Sequence, residues 1–219
     1  MLHSPCPIGP FSIRYNNRLW LLVQTAPDHT LERRPVGPRF VSFAALFYGS
    51  LTVAAMLWSG LRSLDLRLVG HSVTWSVLLG ALTTCVTVAL GLLAFRLLPV
   101  LRQIAAELAP RLVDGASYTG LALVSVFSGV GEETFFRGAI QQEFGIVAAS
   151  LVFGLIHVGP ERRYLVWTVW AVLAGFLFGV LYNVTGGLLA PILAHSTHNA
   201  ATLLLWKRSR KGWGNRTGS

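Results

Sequence analysis

An all-helical bundle of about six membrane segments is the fold class this sequence predicts, and three observations predict it. First, 53% of the 219 residues are hydrophobic and only 12% are charged, against about 25% charged in an ordinary soluble domain. Too little charge remains to solvate a surface. Second, the apolar residues gather into runs near the roughly 20 residues a helix needs to cross a hydrocarbon core. Third, the basic residues that give the net charge of +9 stand at the ends of those runs rather than on one aromatic-rich polar segment. That placement fits loops beside anionic lipid and argues against nucleic acid as a partner.

Taken in order, residues 1–39 contain proline and arginine without a clear period and read as a cytoplasmic N-terminal tail. Its short run LWLLV at 19–23 is too brief to span, and no basic region followed by an apolar stretch and a cleavage site marks a signal peptide. Cys6 and Cys85 offer no disulfide framework and read as free thiols. Apolar runs follow at about 40–60, 73–98, 118–140, 145–158, 164–182 and 187–206, which sets a transmembrane helical domain at 40–206. The fourth run is short before Gly159-Pro160 and is expected to be tilted, broken or partly re-entrant. The tail at 207–219 is basic and expected to be disordered.

The loops give an orientation. With a cytoplasmic N-terminus, the clusters Arg33-Arg34, Arg96/Arg102/Arg111, Arg162-Arg163 and Lys207-Arg208 all fall inside, and only Arg62 and Arg67 fall outside. The bias predicts a multi-pass cell-membrane protein with both termini cytoplasmic. In that scheme Glu132 and the residue His157 can meet only if the third helix reaches about Phe144 or the fourth segment is irregular. Ala171, Gly175 and Gly179 make a small-residue stripe that predicts close helix packing.

Within these runs sit side chains that a bilayer disfavours. The stretch Glu132-Glu133-Thr134-Phe135-Phe136-Arg137 lies in the third run, His157 ends the fourth, and His195 and Asn199 lie in the sixth. Each ionisable group at such depth costs a few kcal/mol or more, which makes it a functional candidate. Glu133 and Arg137 are four apart on a helix and pair on one face, whereas Glu132 is turned away by about 100° and is left for a cavity. A desolvated carboxylate beside imidazoles suits a general base acting on water. Phe153 precedes His157 by one turn and packs beneath its ring. His195 and Asn199 share a face and can donate to a developing oxyanion. His198 between them reads as packing, and Pro191, one turn before His195, predicts a kink. There is no HExxH, no GxSxG and no Gly-x-Ser-Gly nucleophile. The chemistry left is attack by water assisted by Glu and His, without a covalent intermediate.

The motifs EETFFR, Phe153-to-His157 and His195-to-Asn199 follow the patterns EExxxR, FxxxH and HxxxN, in that order, with GFLFGVLYNVTGGLLAPILAH before the last. Together they resemble the CPBP family of intramembrane proteases, which includes the CAAX prenyl proteases and bacterial Abi and bacteriocin-immunity relatives. The resemblance covers about 118–206, a protease-like core. It implies that Glu132 and His157 activate water, that His195 and Asn199 stabilise the oxyanion, and that Glu133 and Arg137 support them. The catalytic set is thus Glu132, Glu133, His157, His195 and Asn199, with Arg137 and Phe153 supporting. Members are often labelled metalloproteases, and Glu132, His157 and His195 are a chemically suitable zinc set, so metal-free and zinc-dependent sites both stay open. The expected function is an intramembrane endopeptidase acting on a membrane-associated peptide or protein. The alternatives are a non-catalytic immunity or scaffold protein of the same family, and a proton-relay transporter, for which the sequence carries no internal repeat.

Overall fold

Ser72 and Ser117 each accept a hydrogen bond from the amide three residues on, and so open helices at Val73 and Tyr118. In the computed structural model, which describes residues 38–214 and the side chains of 39–209, such starts alternate with glycine and proline stops to give an all-helical chain without strands among the described residues. The helices are α1 Pro38–Arg62, α2 Val73–Leu97, α3 Pro99–Val113, α4 Tyr118–Phe135, α5 Gln141–Leu155, α6 Leu165–Thr185 and α7 Leu189–Gly214. A π-helical turn, Phe136–Ile140, joins α4 to α5, and a 3₁₀ turn, Arg162–Tyr164, leads into α6. Among the described residues, four helical stretches suffice by length and composition to cross a membrane: Arg39–Arg62, Val73–Leu97, Tyr118–Leu155 and Arg162–Thr185. The expected N-terminal tail, its LWLLV run and Cys6 lie outside the described residues.

The third and fourth expected segments are one helical stretch that folds back on itself. Phe136 and Phe153 stack edge to face with ring centroids 5.1 Å apart. In an unbroken α-helix they would stand about 25 Å apart at 1.5 Å per residue. The reversal falls at Gly145, whose φ of 83° and ψ of 165° lie in a region open almost only to glycine. The ascending arm therefore reaches Phe144, the condition under which Glu132 and His157 come to similar depth. Phe136, Ile140, Ala149 and Phe153 fill the space between the two arms and pack on Ala171 of α6. Arg62 at the end of α1 closes the turn with an ion pair to Glu143, Nη2 to Oε1 at 2.5 Å.

The small-residue stripe on α6 packs as expected. A Cβ on Gly175 would meet Phe153 at 3.2 Å and Ser150 at 3.3 Å, and one on Gly179 would overlap the Gln141 side chain at 2.6 Å. α7 packs against α2, α3, α4 and α6 and is the central helix. Its His195 and Ser196 are buried in the bundle, while α1 and α2 present rows of exposed Phe43, Leu46, Leu57, Leu78, Leu82 and Leu93 suited to lipid. The loops at the far ends of α1 and α6 are joined by Leu188 N–H to Arg67 C=O, 3.0 Å, and His71 N–H to Thr185 C=O, 2.9 Å. That joint seats the start of α7.

Three expectations are corrected. Residues 99–113, read as a basic loop, form α3, because Pro99 suits a first helical position and Ile104, Ala105, Ala109 and Val113 make a buried stripe on one side. The basic stretch after Trp206 continues α7 to Gly214 rather than leaving the helix. Lys207 is tied down there, its ammonium donating to the carbonyls of Val113 and Ala116. Pro191 makes no kink before His195, since α7 begins at Leu189 and a first-turn proline has no amide partner to lose.

Candidate active site

Glu133 lies on the bundle-facing side of α4, fully buried, and it is the hub of the site. Its Oε2 meets Arg137 Nε at 3.1 Å, one helical turn on. Its Oε1 meets His195 Nδ1 of α7 at 2.7 Å. Arg137 is buried as well. It donates from Nη2 to the Gly175 carbonyl at 2.8 Å and sets its guanidinium over the Phe153 ring, 4.9 Å from the centroid. The π-turn begins just past Glu133, with the Phe136 amide shared between the carbonyls of Glu132 and Glu133. Such turns concentrate at functional sites because they re-aim side chains. The next residue on this face, Gln141, repeats the pattern with the Gly179 carbonyl at 3.0 Å. The missing side chain at Gly179 is what lets Gln141 reach that backbone, since a Cβ there would fall 2.6 Å from Gln141 Oε1.

The second imidazole joins through aromatic rings. Phe153 lies 4.8 Å from the His157 ring and 5.9 Å from the His195 ring, centroid to centroid, so it packs beneath His157 as expected and also bridges the two histidines. Phe178 stacks on the His195 ring at 5.3 Å. His157 follows the end of α5 with Nδ1 2.7 Å from the Phe153 carbonyl. A carbonyl only accepts, so this nitrogen carries hydrogen and the neutral ring keeps its lone pair on Nε2. The same reasoning holds for His195, whose Nδ1 donates to a carboxylate.

Asn199, one turn beyond His195, donates from Nδ2 to Ser128 Oγ on α4 at 3.0 Å. Ser128 in turn lies one turn before Glu132. Glu132 is buried, with Oε2 lacking any hydrogen-bond partner among the described residues, and it is within electrostatic reach of His195 and Arg137. His198 is separate, with Nδ1 3.1 Å from Thr87 Oγ1 and its ring over Trp170, which agrees with a packing role. The structure therefore connects Glu133, Arg137, Phe153, His157 and His195 into one chain of contacts. Asn199 is tied to the helix that bears Glu132. Linking Glu133 to Arg137 alone, as the sequence suggests, overlooks its contact with His195. Ser128 had a signal, its helical spacing from Glu132, whereas nothing in the sequence marks Phe178.

The tethering of both Nδ1 atoms resembles the support found behind metal-bound imidazoles. Yet among the described residues no three His, Cys, Asp or Glu side chains are grouped closely enough to hold one ion. The set Glu132, His157 and His195 does not form such a group as arranged.

An all-helical membrane protein with a buried carboxylate–guanidinium–imidazole cluster is thus the class that fold and site define. Residues 115–201 match the family model described as "Type II CAAX prenyl endopeptidase Rce1-like". That segment, less than half of the chain, contains all three motifs and is similar to a family of proteases. "Uncharacterized protein YpbD" of Bacillus subtilis (strain 168) is 36% identical over 64 residues, which is 29% of this chain and 33% of that protein. The match thus spans about a third of that relative's length. No solved structure matches the chain.

Proposed function

We propose that the protein is an intramembrane endopeptidase that hydrolyses a peptide bond in a membrane-associated peptide or protein by activating water directly. The observation that carries this reading is the unpartnered, buried Oε2 of Glu132 beside a charge-balanced Glu133–Arg137–His195 cluster. A carboxylate oxygen left without a partner in a dry site is an acceptor in search of a proton. A water between Glu132 and the Nε2 lone pair of His157 would lose its proton to one of them while its oxygen adds to the scissile carbonyl carbon. The carbonyl electron pair moves onto oxygen. When the intermediate collapses, the C–N bond breaks, the proton passes to the departing nitrogen, and a carboxylate and an amine result.

The oxyanion falls to His195 and Asn199. Because Nδ1 of His195 already donates to Glu133, its free Nε2 can donate only if the ring holds both protons. The oxyanion role therefore needs an imidazolium, and Glu133 is placed to stabilise one. Arg137 holds Glu133 in turn, so the guanidinium acts on the reaction through two intermediaries and is a positioning residue. Asn199 must turn from Ser128 or share its amide to reach substrate.

A library of membrane-segment peptides, incubated with purified protein in lipid nanodiscs and read by mass spectrometry, tests the reading. Wild type is expected to cut a subset of the peptides. Glu132→Gln is expected to reduce the rate by about 10² or more, the usual scale of general-base loss, while remaining folded. Cleavage by neither protein would favour the non-catalytic scaffold alternative.

A further inference from the structure

The residue just before Glu132 packs on α1, which lies outside the matched residues 115–201. There the two helices touch almost backbone to backbone. A Cβ on Gly131 would fall 2.6 Å from the Tyr48 carbonyl oxygen, 2.8 Å from its Cβ and 3.0 Å from its Cα. No side chain fits between them, so the absence of one at Gly131 sets how near α1 can come. The approach brings the half-buried Tyr48 phenol within interaction range of the carboxylate of the next residue, Glu132. Tyr48 is held in depth from its own helix, its carbonyl accepting from Thr52 Oγ1 at 3.1 Å.

We infer that Tyr48 is a positioning residue for Glu132. Its hydroxyl donates to one carboxylate oxygen, which fixes the rotamer and leaves Oε2, the atom without a protein partner, directed to the water. A phenol does this better than serine or threonine at the same depth, because its ring fills the apolar gap while only its tip is polar. A carboxylate in a long, flexible side chain gains most from such a restraint, since proton transfer needs heavy atoms within about 3 Å of one another. The inference rests on the proposed general-base role of Glu132, but the contact itself does not depend on that role.

Two measurements on the full chain in nanodiscs test it, with Tyr48→Phe as the probe because the ring and its packing remain. The first uses a peptide that wild type cuts. Tyr48→Phe should lower kcat by about tenfold or more with KM nearly unchanged, the pattern of an interaction that matters after binding. In a Glu132→Gln background the same substitution should have no further effect, because coupled residues are not additive. A purely structural tyrosine would instead lower thermal stability and give the same loss in both backgrounds. The second measurement needs no activity: infrared difference spectra between wild type and Glu132→Gln isolate the Glu132 carboxyl band, and Tyr48→Phe should displace it. A displaced band in a protein that cuts nothing would leave the contact standing and remove the protease reading. An undisplaced band, or a Tyr48→Phe protein as active as wild type, would overturn the inference.

Discussion

At the scale of single residues, charge balance governs this site. Glu133 and Arg137 are both fully buried and joined at 3.1 Å, and His195 adds a third member at 2.7 Å. Removing one partner of such a pair strands the other, at a cost of about 3–5 kcal/mol. Glu133→Gln should therefore lower the thermal midpoint in detergent and also reduce turnover, because His195 loses the group that stabilises its charged form. Glu133→Gln combined with Arg137→Met should recover part of the stability and none of the turnover, as read by thermal scanning and peptide cleavage on the same preparations. A double variant less stable than Glu133→Gln alone would contradict the balance. The residues of this cluster were legible in the sequence because ionisable groups stand out in apolar runs. Their pairing was only half legible: helical spacing gives Glu133–Arg137, but the partnership of Glu133 with His195 spans 62 residues and depends on how α4 meets α7.

At the scale of elements, the hairpin of α4, the π-turn and α5 makes the site. Gly145 turns the chain through a backbone geometry closed to other residues, yet no atom lies within 4 Å of where its Cβ would be. Gly145→Ala thus meets no steric obstacle and only backbone strain, on the order of 1–3 kcal/mol. It should lower stability by that scale, whereas Gly175→Ala acts through packing by pressing α6 away from Phe153. Both would be measured by reversible unfolding in mixed micelles. An unchanged Gly145→Ala would mean the turn is built differently. Hydropathy found α1, α2 and α6 within a few residues of their ends, since lipid-facing helices carry the signal on most of their surface. It missed α3 because an amphipathic helix of 15 residues with Arg102, Glu107 and Arg111 dilutes any apolar window. For α7, the polar residues facing the bundle and the basic end pull its composition below that of the four apolar stretches. The central helix is the least apolar one.

For the molecule as a whole, the described residues place the candidate groups where three independent elements meet: α4 with its π-turn, the end of α5, and α7. Metal dependence is a property of that assembly. Since no three potential ligands group together among the described residues, the metal-free proposal predicts that an exhaustive chelator treatment leaves cleavage largely intact and that metal analysis of active protein finds no stoichiometric zinc. Zinc at one equivalent, lost together with activity and restored by re-addition, would contradict this. The sequence left metal use open because ligand chemistry is set by residue type, whereas ligation is set by distances between helices that spacing does not encode.

Hydrolysis of a membrane peptide, with Glu132 activating the water that supplies the new carboxyl oxygen, is the proposal on which the rest depends. It is tested most directly by running the cleavage in ¹⁸O-labelled water with a peptide that wild type cuts and locating the label by mass spectrometry. One ¹⁸O atom is expected in the new carboxyl group at a single scissile bond, in wild type and not in Glu132→Gln. Cleavage that persists undiminished in Glu132→Gln, or products without label, would contradict it.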